Sequence, residues 1–129
     1  KVKKIQKKLD YYKEIYQIAS EAKNIFYSKN NQNFLDHISE LLNESWKLKK
    51  KLSNNVSSNY IDEIYSSALK NGAMAGKILG AGGGGFIMFI TKNALDRKKL
   101  IKFLNKLTHV NFKFENKGTE IVRSVENEK

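Results

Sequence analysis

The chain's 129 residues amount to one domain, and 24 Lys plus Arg against 13 Asp plus Glu leave a net charge of +11. With no Cys and two His, disulfide scaffolds, thiolate metal sites and cysteine nucleophiles are excluded, and a histidine-built metal site has little to draw on. A hydrophobic fraction of 40% is enough for a modest core, and no apolar run approaches the ~20 residues of a membrane span, so the expectation is a folded cytoplasmic protein.

The first two-thirds of the sequence has helical periodicity. The spacing of Ile5, Leu9, Tyr12, Tyr16, Ala19 and Phe26 predicts a helix over Val2 to Tyr27, and a second apolar row at Tyr11, Ile15, Ile18, Ala22 and Ile25 widens its buried face. This pattern is already running at Lys1, and the sequence does not begin with Met, so a segment of a longer polypeptide is expected. A polar turn at residues 28–33 leads to a second helix over Phe34 to Leu52, with a stripe of Phe34, Ile38, Leu41, Ser45, Leu48 and Leu52 flanked by Leu35, Leu42 and Trp46. After the Ser- and Asn-rich stretch 53–59, Asn59 is placed to cap a third helix carrying Asp62 in its first turn and closing at Asn71-Gly72. Two strands are predicted next, at Ala75–Leu79 and in the run Phe86-Ile87-Met88-Phe89-Ile90. Asn93 with Asp96 marks the start of a fourth helix. Val110, Phe112 and Phe114 alternate with polar residues and predict a third strand, and Thr119–Val125 a fourth. Helices followed by strands give an α+β domain, with three N-terminal helices packed on a small antiparallel sheet and a further helix.

Seven of the eight glycines fall between Gly72 and Gly85. Such clustering is entropically costly unless the backbone must turn sharply or approach another group closely, as phosphate loops do. The Walker A pattern fails, because Gly72 and Gly76 have three residues between them and Ile78, not a hydroxyl residue, follows Lys77. Gly80, Gly82 and Gly85 satisfy G-x-G-x-x-G, but a dinucleotide loop opens a helix, whereas here a strand follows and Asp96 comes too early for the ribose acid. A two-residue hairpin turn needs one or two glycines, not five in six positions, so close approach to a second surface fits better than a bare turn.

The stretch Gly76-Lys77-Ile78-Leu79-Gly80-Ala81-Gly82-Gly83-Gly84-Gly85-Phe86 resembles the third motif of the GHMP kinases, the family of galactokinase, homoserine kinase and mevalonate kinase. With residues 42–53, 61–65 and 112–118, the sequence is most similar to the D-glycero-D-manno-heptose 7-phosphate kinase branch. It departs from many other members in having Leu79 before Gly80 and Phe86 after Gly85. The resemblance implies that residues 1–129 are a GHMP kinase C-terminal domain of ferredoxin-like fold. It implies an ATP- and Mg2+-dependent enzyme transferring a γ-phosphate to a hydroxyl of a sugar phosphate. The ATP-binding N-terminal domain of the same polypeptide, with the catalytic acid and the magnesium ligands, would then lie outside this sequence. On this reading no catalytic or metal-binding residue falls in the chain, which is inactive alone. Gly80, Ala81, Gly82, Gly83, Gly84 and Gly85 would form the stretch that meets the phosphate loop of the partner domain.

Outside the motif, Lys77 is a candidate phosphate contact or an ordinary surface lysine. Trp46 is a candidate floor for a sugar or a packing residue of the core or domain interface. Lys49, Lys50 and Lys51 either meet a phosphorylated substrate or simply complement the end of a helix dipole. His37 and His109 have no partner in sequence reach and read as surface residues. Two other readings stand beside the leading one: a GHMP kinase for a different sugar or sugar phosphate, and a basic nucleic-acid-binding module. The module draws slight support from Tyr11, Tyr12 and Tyr16 among lysines, but its nucleic-acid partner is disfavoured by lysines spread along helix faces and by the internal glycines.

Overall fold

The structure, a computed structural model, describes residues 2–28, 32–53, 55–80 and 82–120. In chain order it contains α1 (Val2–Tyr27), α2 (Phe34–Leu52), α3 (Asn59–Lys70), β1 (Ala73–Ile78), β2 (Ile87–Thr91) and α4 (Ala94–Phe103). α1 and α2 form an antiparallel hairpin. Near its bend the rings of Phe26 and Phe34 meet edge to face at 5.1 Å, and at the other end Lys51 Nζ stands 5.5 Å from the ring of Tyr11. α2 also packs on β1, and α3 and α4 contribute to the same centre through β1 and β2.

The starts of α3 and α4 are set by side-chain caps. Asn93 accepts hydrogen bonds from the backbone N–H groups of Leu95 and Asp96, as its position in the sequence predicts. α3 differs by one residue: the cap is Ser58, whose Oγ accepts from the N–H of Ile61, and Asn59 is already helical. β1 and β2 pair antiparallel, with Gly76 opposite Phe89 and Ile78 opposite Ile87, and the register slips between Ala73 and Ala75. At that irregularity the Met74 carbonyl accepts from Asn43 Nδ2 of α2 at 3.0 Å.

Two clusters make the core. Trp46, Val56, Ile61 and Ile78 pack together with Tyr65 and Ile87, while Ala68, Ala73 and Leu100 pack with Phe89 and Leu104. Both clusters meet at the β hairpin, so the sheet is the keel of the domain.

The architecture is α+β as expected, but among the described residues the sheet has two strands rather than four. Val110–Glu115 is not a strand. The segment has no regular secondary structure, is tied to α4 by a hydrogen bond from Arg97 to Asn111 Oδ1 at 3.0 Å, and pairs with neither strand. Alternation alone does not make a strand, because it needs a free edge to bond and a face to cover. Here Phe112 and Phe114 cover each other, ring edge to face at 5.7 Å, and stay exposed. Thr119 and Glu120 are also outside any strand, and residues 121–125 of the fourth predicted strand lie outside the described residues. Among the described residues no helix is long and apolar enough to cross a membrane.

Candidate functional site

The connection between β1 and β2 is the glycine loop. Its neck is closed by the N–H of Leu79 donating to the carbonyl of Phe86 at 2.9 Å. Within it Gly80, Gly82, Gly83 and Gly85 have φ of +90°, +106°, +79° and +94°, a region that residues with a Cβ adopt only under strain. Ala81 lies outside the described residues.

The inner side of the loop rests on the chain between α2 and α3. The N–H of Gly83 donates to the Val56 carbonyl at 3.1 Å, and a Cβ placed on Gly82 would stand 2.8 Å from that same oxygen and 2.9 Å from Val56 Cα. One close approach, at Gly82, is thus made within the domain itself, which is a different contact from the approach to a partner domain expected from the sequence. The seat is firm because the Val56 side chain is buried beside Trp46, Ile61 and Ile78. Turn bonds from Asn55 N–H to Ser53 Oγ and from Val56 N–H to the Ser53 carbonyl fix the loop that carries it. The outer side is different. No atom lies within 4 Å of a Cβ placed on Gly80 or Gly84, and exposed Leu79, Phe86 and Tyr60 border this open stretch. Beside it an apolar cavity of about 980 Å³ runs between α3, the sheet, α4 and the segment 107–114.

Trp46 is not a sugar platform. At 2% exposure it lies in the core, where α2 presses its ring against Ile61, Ile78 and Tyr65, so neither face is open to a ligand. Lys77 sits on β1 opposite Met88, partly exposed. The three lysines at the end of α2 separate. Lys49 Nζ donates to the Gly80 carbonyl at 3.0 Å, and Lys50 Nζ bonds Asp62 Oδ1 at 2.9 Å while passing 5.8 Å from the Trp46 ring centre. Lys51 turns toward Tyr11. Asp62 also accepts from Ser57 Oγ, so the first turn of α3 is stapled to α2. His37 and His109 are exposed, as expected.

Residue types alone did not single out Val56, Asn43 or Tyr65. The Tyr65 hydroxyl donates to Asn43 Oδ1, and Asn43 in turn donates to Met74, so α2, α3 and β1 share one polar link. Burial pushes the Tyr65 hydroxyl above the ordinary tyrosine value, against a smaller opposing effect of its hydrogen bond with the Gly76 backbone. The signal for Lys49 was present: it stands three residues after Trp46 on a helix, hence on the side of α2 that faces the core and the loop.

This geometry belongs to a sequence whose residues 26–109 match the model of the GHMP kinases C-terminal family. The chain belongs to that family. The GHMP kinase C-terminal domain is 41% identical over 69 residues to D-glycero-alpha-D-manno-heptose 7-phosphate kinase of Campylobacter jejuni, a match covering 54% of this chain and 20% of that protein. It is 29% identical over 84 residues to the bifunctional fucokinase/GDP-fucose pyrophosphorylase of Arabidopsis thaliana, covering 64% of this chain and 8% of that one. The chain thus spans a fifth or less of the length of these relatives. Among the described residues of the GHMP domain, no group of three or more His, Asp or Glu is placed to hold a metal ion.

Proposed function

We propose that this GHMP C-terminal domain is part of a cytoplasmic ATP-dependent sugar kinase that phosphorylates a heptose phosphate, and that its glycine loop helps to close the cleft. The observation that carries the reading is the two-sided loop: one side is locked onto Val56, and the other leaves open space where a Cβ would stand on Gly80 and Gly84. The similarity to a heptose 7-phosphate kinase supports the substrate class, and the match to a fucokinase supports sugar phosphorylation more broadly.

Phosphoryl transfer depends on holding donor and acceptor in line and on stabilising charge, with little covalent work for the protein. A bare backbone loop serves this by letting the phosphate-binding segment of a neighbouring domain come close and by excluding water between them. Among the described residues no His, Asp and Glu side chains gather to hold a metal, and the proposal assigns ATP, Mg2+ and the catalytic acid to an N-terminal domain of the same polypeptide. Alone, the chain is expected to release no ADP from ATP with a sugar phosphate.

The test is Gly84→Val in the full-length protein. Gly84 has space for a side chain and a φ outside the left-handed region, so the substitution leaves the domain's own packing intact. Heptose 7-phosphate-dependent ADP release is expected in the wild type, with kcat falling about 10-fold or more in the variant. Wild-type turnover by the variant refutes the cleft role, and a preference for another sugar phosphate moves the substrate assignment while leaving the kinase.

A further inference from the structure

We infer that Lys49 is the positioning residue of the glycine loop, a role that rests on the kinase reading above. Gly80 opens the loop with φ +90°, and no atom lies within 4 Å of where its Cβ would stand. Sterics on that side therefore do not fix it. The other loop bonds are backbone to backbone, at the Leu79–Phe86 neck and at Gly83–Val56. The bond from Lys49 Nζ to the Gly80 carbonyl, at 3.0 Å and across 31 residues, is the side-chain anchor among the described residues. The bond is solvent-exposed, so its part is to orient the carbonyl rather than to add stability.

The neighbouring lysine cannot take its place. Lys50 is committed to Asp62, which Ser57 also holds, and Lys51 is turned toward α1. The last turn of α2 thus divides its charges: Lys50 fastens α3, and Lys49 sets the orientation of the peptide at the entrance of the loop. Lys49 acts through the loop backbone and not by touching substrate. Its loss lets the open stretch from Gly80 wander while the Val56 seat stays in place.

The experiment compares Lys49→Met, Lys49→Arg and Lys50→Met in the full-length protein. Lys49→Met is expected to lower kcat for sugar phosphate-dependent ADP release about 10- to 100-fold, with KM for the sugar phosphate nearly unchanged. Lys49→Arg restores most of the loss, and Lys50→Met keeps kcat. Hydrogen exchange adds a readout independent of turnover: amides of residues 80–85 exchange faster in Lys49→Met while those of α2 and β1 keep their protection. The inference is overturned if Lys49→Met keeps wild-type kcat, if it raises KM alone, if Arg gives no rescue, or if loop exchange is unchanged. A wild-type protein without sugar-dependent ADP release instead overturns the kinase reading, and loop exchange still decides whether Lys49 anchors Gly80.

Discussion

The two sides of the glycine loop use one residue type for different ends. At Gly82 the missing side chain is an internal necessity, because a Cβ would press into the Val56 backbone, and at Gly83 it would crowd the Asn55 carbonyl at 3.2 Å. At Gly84 nothing inside the domain calls for glycine: there is room for a Cβ and no left-handed φ to accommodate. A run of four glycines therefore carries two separable constraints, one on folding and one on what lies outside the fold. Substitutions along it separate the two.

The largest expected effect strikes the floor under the inner side. Trp46→Ala empties the cluster that supports Val56 and is expected to cost about 3–5 kcal/mol in urea unfolding. Gly82→Val acts on the seat itself, adding a branched side chain at φ +106° against Val56, with an expected loss of about 1–3 kcal/mol from backbone strain. Gly84→Val sits at the other end of the series, within about 0.5 kcal/mol of wild type. Equal losses at Gly82 and Gly84 would erase the distinction between the two sides.

A finer effect reads the same region through pH. Tyr65 packs against the Trp46–Val56 cluster, and its folded-state pKa is raised by burial. The unfolded chain loses the phenolic proton near pH 10 while the folded one keeps it, so the unfolded state binds fewer protons. The stability contributed by neutral Tyr65 is whole below about pH 10 and is lost as pH rises from there through the higher folded-state value. Tyr65→Phe is expected to remove this share of the alkaline slope in unfolding measured from pH 8 to 11. An unaltered slope would mean that the buried phenol does not sense the seat.

The helices, their order and the β hairpin were legible in the sequence because each has a local signal: 3.6-residue apolar spacing, an Asn or Ser cap, an apolar run between glycines. The cap of α3 was missed by one residue because Ser58 and Asn59 are both good caps, and only the bond from Ile61 chooses between them. The strand at Val110–Glu115 failed because alternation says which face is apolar and nothing about which element the segment meets, here α4 through Arg97 and Asn111. The glycines pointed to close approach toward a partner domain, and nothing in them announced the separate contact of Gly82 and Gly83 with Val56 inside this one. That contact joins residues 27 apart, and no periodicity reports it. Trp46 and Lys49 show the same limit: the helical spacing put both on one side of α2, while only the packing made one a core residue and the other a loop anchor.

The helical hairpin has a further geometric consequence. Lys51, near the end of α2, meets Tyr11, nine residues after the start of α1. At a rise of about 1.5 Å per residue those nine residues cover about 13 Å, with Ile5 and Leu9 exposed along them. This end of α2 is also the end from which Lys49 reaches Gly80. One helix end thus holds both the first helix, through Lys51, and the entrance of the glycine loop, through Lys49.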